Sequence, residues 1–351
     1  MTGFDLTPIS NITYSQPQNN WLIDGVIEKG SLAMIFGSPA SGKSFMAMDM
    51  AFCIGGGIDW NGHPTTLGDV VYLAGEGLPG MARRFKALET HYAVSSNGIF
   101  VSNMPGRLSD VLHAKEIYQA IEHNCPNPAL IIVDTLHRNF GDGDENSARD
   151  LNTLLSVLTA FINETGAAVL LVHHTGHASS GRARGSSALR ASVDAEFRVE
   201  KRGTNITMSC TKAKDFEAGE PVSFELEEVA LPGWLDANGE QMTSAVLKPS
   251  VFNPSAMRPP LSEKEERLLE ILKNCTEESG NPAIEKHIDD QSDVTEKIWV
   301  NLADWRKAVY DELDDGKIQQ GSMRQAFKRG REKLAAESKI IEIDDHVYYL
   351  G

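Results

Sequence analysis

Short, mainly apolar runs recur along the first half of the chain and alternate with stretches of helical periodicity. Such runs are typical of parallel strands that are covered on both faces. The alternation predicts an α/β fold with a doubly wound, mostly parallel sheet. The predicted strands are Ser31–Phe36, Asp69–Ala74, Ile99–Val101, Ala129–Thr135 and Ala167–Val172. The predicted helices between them are Phe45–Phe52, Pro79–Tyr92, Val111–His123 and Leu151–Glu164.

Two segments interrupt this alternation, and three more strands follow it. His137–Arg149 is polar and acidic, and Gly176–Ser187 is rich in Gly, Ser and Arg, so we interpret both as loops. We expect three further strands to complete the sheet, at Asp194–Glu200, Asn205–Thr211 and Pro221–Glu228.

Changes in composition divide the chain into four parts. Residues 1–20 are polar and aperiodic, which suggests an arm. Residues 249–260 contain four prolines and no periodicity, which predicts a linker. The larger domain then covers residues 21–248, and a small domain covers residues 261–351.

The small domain has the pattern of helices followed by a β-hairpin. Ser262 and Glu265 form a capping-box pattern at the start of a first helix. Two helices and two short strands follow, and together they suggest a winged helix-turn-helix. The predicted elements are Leu261–Leu272, Leu302–Leu313, Ser322–Ser338, Ile340–Ile343 and His346–Leu350.

Composition excludes several classes of protein. The 351 residues carry a formal charge of −16, which argues against a protein coated all over with nucleic acid but not against a local basic surface. No apolar run is long enough to span a membrane, and no signal-peptide pattern is present. The four cysteines lie far apart, as expected of reduced thiols in a cytoplasmic protein.

The candidate chemistry begins at the turn between the first strand and the first helix. Residues 37–44 match the G-x-x-x-x-G-K-[ST] phosphate loop at every fixed position, in the strand–loop–helix context that the motif requires. We therefore expect ATP and Mg²⁺ as ligands, in preference to a Gly/Ser-rich turn without a ligand. The predicted nucleotide-binding residues are Gly37, Ser38, Pro39, Ala40, Ser41, Gly42, Lys43 and Ser44.

Three polar residues follow other predicted strands and should meet this loop at the same edge of the sheet. Asp134 is the candidate Mg²⁺ ligand together with Ser44, although it could also be a turn or cap residue. Glu76 is the candidate general base, with the acidic loop Asp142–Glu145 as the alternative. His174 is the candidate γ-phosphate sensor, but the pattern does not decide between it and His173.

In combination, the motifs GSPASGKS, VVYLAGEG, LIIVDT, LLVHHTGH and RGSSALRASVD resemble the RecA-like ATPases. Over residues 20–230 the chain is most similar to the hexameric RepA helicases of plasmids, which are related to DnaB-type replicative helicases. The resemblance implies that Lys43 and Ser44 bind phosphate and Mg²⁺, Asp134 is the Walker B acid, Glu76 is the catalytic glutamate and His174 is the sensor. The small domain resembles winged-helix modules attached to such ATPases.

The resemblance also implies a homo-oligomeric ring, with a hexamer expected, in which a neighbouring subunit completes each ATP site. Lys212 and Lys214 are the predicted trans-acting cations, with Arg184 and Arg190 as competitors. DNA contacts are expected from Arg182 and Arg184 in the Gly-rich loop, and from the predicted helix before the hairpin. The candidates on that helix are Arg324, Lys328 and Arg329, for which a solvated helix face is the alternative.

Three functions are compatible with these features. The first is an ATP-dependent DNA helicase or translocase of a plasmid, phage or integrated element. The second is a RecA-like recombination or loading ATPase on DNA, and the third is an ATP-gated regulator whose winged helix binds duplex DNA or a protein.

Overall fold

A computed structural model describes residues 6–15, 20–75, 77–145, 147–174, 187–252, 262–284, 297–313, 320–336 and 339–350. The chain forms two compact units, Met1–Met257 and Arg258–Gly351. Within the described ranges, no helix is both long and apolar enough to cross a membrane.

The first unit is built on a mostly parallel sheet, and this confirms the predicted α/β fold. A small ribbon, β1 (Trp21–Ile23) with β2 (Ile27–Glu28), precedes it. The main strands are β3 (Leu32–Gly37), β4 (Asp69–Ala74), β5 (Ile99–Val101), β6 (Pro128–Asp134), β7 (Ala168–His174), β8 (Ala195–Arg202), β9 (Asn205–Ala213), β10 (Val222–Leu235) and β11 (Gln241–Ser250). Among the described residues their order is β11-β10-β9-β8-β3-β7-β6-β4-β5. The strands from β8 to β5 in this order run parallel, and β9, β10 and β11 are antiparallel.

The central strand β3 explains why the sheet is covered on both faces. Its residues alternate between two buried clusters, with Ala33 and Ile35 in one and Leu32 and Met34 in the other. Helices supply the opposing apolar surfaces, since a strand that is apolar on both faces must be covered twice. The helices of this unit are α1 (Ile9–Ser15), α2 (Lys43–Gly56), α3 (Leu78–Tyr92), α4 (Val111–Asn124), α5 (Leu136–Phe140), α6 (Ala148–Thr165) and α7 (Ser187–Ser192).

The first unit contains two helices and one strand that the sequence did not predict. The polar N-terminal arm contains α1, and the acidic segment after β6 contains α5, because Leu136, Asn139 and Phe140 are buried there. The sequence did not predict β11, because several of its positions are exposed and its residues do not alternate between apolar and polar. The strand also extends to Ser250, two residues into the predicted linker. Pro249 is tolerated because β11 pairs only with β10 and lies at the sheet edge.

The second unit packs three helices against a small sheet. The helices are α8 (Glu263–Ser279), α9 (Leu302–Leu313) and α10 (Gln320–Ala336). The strands β12 (Asn281–Pro282), β13 (Ile298–Asn301), β14 (Ile340–Ile343) and β15 (His346–Tyr349) lie in the order β12-β13-β15-β14 within the described part. The predicted capping box at Ser262 and Glu265 is present, and the hairpin prediction is confirmed. Trp305 is fully buried, and its Nε1 donates to the Leu268 carbonyl at 3.1 Å.

β12 and β13 are the strands of this unit that the sequence did not predict. They are two and four residues long, so neither spans enough positions to display a period of two.

A buried carboxylate lies within α2, the helix that follows the phosphate loop. Asp49 is 2% exposed and accepts hydrogen bonds from Trp60 Nε1 and Tyr92 Oη, each at 2.9 Å. Burial raises the pKa of Asp49 from 3.8 to about 7, and the two hydrogen bonds only partly oppose this rise. The native state therefore holds a proton here that the unfolded chain releases near pH 4.

We predict that Asp49→Asn flattens the dependence of stability on pH. In the wild type, Asp49 lowers the free energy of unfolding as pH rises from about 4 to 7, by at most about 1.4 kcal/mol per pH unit. Urea unfolding of both proteins across this range measures the difference. Asp59→Asn, at an exposed position between α2 and Trp60, should behave like the wild type. Equal pH slopes for Asp49→Asn and wild type would contradict the assignment.

Candidate nucleotide-binding site

The phosphate-loop sequence joins the central strand to α2 through a backbone that glycine makes possible. β3 ends at Gly37, where a Cβ atom would collide with the Val199 carbonyl oxygen of β8. Gly42 caps α2 with a φ of 98°, a conformation that other residues rarely adopt. The helix thus begins at Lys43, with its positive end directed at the loop, as an anion site requires.

Lys43 is folded back across the loop. Its side chain is buried, and its Nζ donates to the carbonyl oxygens of Gly37 at 3.0 Å and Ser38 at 2.7 Å. Burial lowers the pKa of Lys43 to about 8, and the nearby Asp134 opposes this effect. Like Asp134, a phosphate group at the loop would favour the charged form of Lys43, so the site is suited to bind an anion.

Asp134 joins three elements of the site. Its Oδ1 accepts a hydrogen bond from Ser44 Oγ at 3.2 Å, and its Oδ2 accepts one from Tyr72 Oη at 2.5 Å. The side chain is 8% exposed at the end of β6, and the Asp134–Thr135 peptide bond is cis. A hydroxyl and a carboxylate that face each other are the oxygen donors that suit Mg²⁺, so the residues fit the predicted metal.

The order of the strands assigns different surroundings to the two histidines. β7 lies between β3 and β6, with His173 opposite Phe36 and His174 opposite Gly37. His173 is 1% exposed within the sheet, whereas His174 is half-buried and lines a cleft at the phosphate loop. Of the pair, His174 is therefore the residue that a bound nucleotide could contact.

This cleft has a volume of about 360 Å³ and contains residues that sequence reasoning missed. Arg84 of α3 lines it, with its guanidinium carbon 5.0 Å from the centre of the Phe45 ring. Lys201 and Ile206, from the β8–β9 hairpin, also line it. The helical periodicity of residues 79–92 does not show that Arg84 reaches the phosphate loop. The position of Lys201 and Ile206 beside the phosphate loop could not be predicted, because it depends on β8 lying next to β3 in the sheet.

The predicted general base, Glu76, lies outside the described residues. The residue before it, Gly75, donates its N–H to the Asp134 carbonyl at 2.5 Å, so the end of β4 meets the end of β6. In the alternative acidic loop, Asp142 pairs with Arg107, and Glu145 Oε1 lies 2.8 Å from His137 Nδ1. Neither of these acids is among the residues that line the cleft.

The two predicted trans-acting lysines lie away from their own phosphate loop. Lys212 pairs in register with Glu196, which is level with Met34, so the lysine lies about 10 Å along the sheet from Gly37. Lys212 Nζ donates to the carbonyls of Arg190, Ala191 and Val193, and Lys214 Nζ donates to Asp194 Oδ1 at 2.8 Å. Neither lines the cleft of its own subunit.

The predicted DNA-binding residues divide between two locations. Arg182 and Arg184 lie outside the described residues. Arg324, Lys328 and Arg329 are exposed on α10. The remaining cations of that helix have partners within the unit, because Arg331 pairs with Glu342 and Lys333 with Glu265.

We predict that Lys43→Ala weakens ATP binding about 10- to 100-fold, the loss expected for charge-assisted hydrogen bonds to phosphate. In the wild type, affinity should also fall above about pH 8, where the free lysine loses its proton. Calorimetric titration with a non-hydrolysable ATP analogue measures both effects. Lys248→Ala removes an exposed cation from β11 and is the matched control. Wild-type affinity in Lys43→Ala would mean that the loop has only a structural role.

Comparison with known proteins is consistent with this geometry. The model of the AAA domain family matches residues 3–180, about half of the chain, including the phosphate loop, Asp134 and His174. No curated protein matches the sequence. The chain therefore belongs to the AAA_25 family of AAA domains, P-loop ATPases related to the DnaB- and RecA-like helicases.

Proposed function

We propose that this protein is a Mg²⁺-dependent ATPase that forms rings and moves along or unwinds DNA in plasmid or phage replication. The observation that carries the proposal is the convergence of Lys43, Ser44, Asp134 and His174 at one edge of the sheet. Membership of a family related to DnaB-like helicases supports it, as does the resemblance of the motifs to the RepA helicases.

The candidate site residues have distinct proposed roles in ATP hydrolysis. Lys43 and the N-terminal end of α2 hold the β- and γ-phosphates. Ser44 and Asp134 would hold Mg²⁺, which neutralises charge on the phosphates when bound. Glu76 takes a proton from the attacking water as the new oxygen–phosphorus bond forms. The bond between the γ-phosphorus and the bridging oxygen breaks, and ADP and phosphate leave.

His174 links this chemistry to DNA in the proposal. It lines the cleft at the end of β7, and the segment 175–186 follows it directly in the chain. Loss of the γ-phosphate would remove a hydrogen-bond partner from the histidine, which would report the nucleotide state to the residues that follow it. Arg182 and Arg184 within it would contact DNA phosphates, which is a sequence-independent and salt-sensitive interaction.

The second unit is proposed to be a winged helix. The order α8, β13, α9, α10, β14, β15 supports this, with α10 as the helix that enters a DNA groove. Its exposed cations Arg324, Lys328 and Arg329 are the proposed contacts, although Lys328 also lies 3.8 Å from Glu332. The turn of the hairpin contains Asp344 and Asp345, which would repel the DNA backbone. The hairpin is therefore not expected to contribute contacts to DNA.

Two other functions would use the same cleft. A RecA-like recombination or loading factor would hydrolyse ATP on DNA without unwinding it, and strand-exchange assays beside unwinding assays distinguish the two. An ATP-gated regulator is favoured only by the exposed cations of α10. Footprinting of the full chain on duplex DNA would then reveal a protected site that depends on ATP.

We predict that single-stranded DNA stimulates ATP hydrolysis by the wild type at low salt, and that stimulation fades as salt rises. A phosphate-release assay with and without DNA measures this. Glu76→Gln is the control, since it should retain ATP binding and lose hydrolysis by several orders of magnitude. An ATPase rate that DNA leaves unchanged at low salt would rule out the translocase.

A further inference from the structure

The helix α2, which begins at the phosphate loop, packs along α3, which supplies Arg84 to the cleft. Arg84, Leu88 and Tyr92 of α3 are spaced four apart, so they lie on one side of that helix. At the end near the cleft, the Arg84 guanidinium carbon lies 5.0 Å from the centre of the Phe45 ring of α2. The position of Arg84 in the cleft thus depends on how α3 is held against α2.

At the other end of α3, the last residue of the helix makes two contacts with α2. Tyr92 Oη donates to Asp49 Oδ1 at 2.9 Å, and the Tyr92 ring is stacked on Phe52 with the ring centres 5.6 Å apart. Phe52 lies about 10 Å along α2 from Phe45. Tyr92 lies about 12 Å along α3 from Arg84. The two helices therefore run side by side in the same direction, with one contact at the cleft and the other about two turns away.

Asp49 is itself held in place, so its bond to Tyr92 has a fixed origin. Its other oxygen, Oδ2, accepts from Trp60 Nε1 at 2.9 Å, and Trp60 is fully buried. The carboxyl group is 2% exposed, so water hardly competes for either oxygen. A buried oxygen without a donor is costly, which favours the arrangement in which both donors stay in place.

The hydrogen bond differs in kind from the other contacts of α3. Leu88 is buried between the two polar contacts, in the same apolar cluster as α2. Burial of apolar surface is not directional, so a small slide of α3 along α2 would change it little. Lys86, Glu89 and Thr90 bond within α3 or to the segment that follows it, and so do not fix it to α2. A hydrogen bond weakens steeply when its geometry changes, so the bond to Asp49 sets the position of α3.

We propose that Asp49 and Tyr92 position Arg84 in the nucleotide cleft, so that their hydrogen bond contributes to ATP affinity without touching the nucleotide. This rests on the proposed ATPase, in which Arg84 contacts the bound ATP. A guanidinium donates in a fixed planar geometry, so a displacement of about 1 Å weakens its bonds to a ligand. Neither Asp49 nor Tyr92 is among the described residues that line the cleft, so both are positioning residues.

Tyr92→Phe tests the proposal with a small change, because it removes the hydroxyl and keeps the ring against Phe52. Its affinity for a non-hydrolysable ATP analogue should fall about 3- to 10-fold in calorimetric titration of the full chain. In an Arg84→Ala background, the same substitution should leave affinity unchanged, because its effect passes through the arginine. Equal losses in both backgrounds, or wild-type affinity in Tyr92→Phe, would overturn the proposal.

Two substitutions of Asp49 separate hydrogen bonding from charge. In Asp49→Asn, the amide oxygen can accept from Trp60 while the amide nitrogen donates to Tyr92 Oη, so affinity should stay within about twofold of the wild type. Asp49→Ala removes both bonds and should weaken ATP binding at least as much as Tyr92→Phe. Asp49→Asn as weak as Asp49→Ala would overturn a role for the hydrogen bonds.

Val157→Ala is the control for lost stability, because it opens a small cavity in the apolar cluster on the opposite face of the sheet. Urea unfolding should show that it and Tyr92→Phe are both less stable than the wild type, but Val157→Ala should bind ATP normally. An equal loss of affinity in Val157→Ala would mean that affinity follows stability and would overturn the positioning role. A wild type that fails to bind the ATP analogue would instead refute the proposed function.

Discussion

The candidate site depends on the hydrogen bonds of Asp134. Its carboxylate accepts hydrogen bonds from Ser44 at the start of α2 and from Tyr72 of β4, and its backbone carbonyl accepts one from the Gly75 N–H. These contacts fix the ends of three elements that come from distant parts of the sequence. Because the carboxylate is nearly buried, losing a partner would leave a charge with little access to water. The same geometry that could hold a metal therefore also holds the edge of the sheet together.

How much the sequence predicts depends on how local each feature is. The phosphate loop, Asp134 and the capping box at Ser262 were found because each is a short pattern with a local physical cause. Arg84 and Lys201 were missed because their place in the cleft follows from the order of the strands, which no local pattern contains. Tyr72 was missed because it looks like any aromatic residue in a buried strand.

The cations beyond the cleft show a second limit of sequence reasoning. Lys212 and Lys214 were predicted from a motif, which identifies residue types but not whether their donors are already used. The structure adds that information: Lys212 donates to three carbonyl oxygens, and Lys214 donates to Asp194.

The central proposal is that two copies of the chain are needed for each working ATP site. Mass measurement in solution, with and without Mg²⁺, a non-hydrolysable ATP analogue and single-stranded DNA, tests it most directly. The account predicts a closed oligomer of defined mass that the nucleotide and DNA stabilise, with ATPase activity confined to the oligomer. A monomer that hydrolyses ATP at the full rate at every concentration would contradict it.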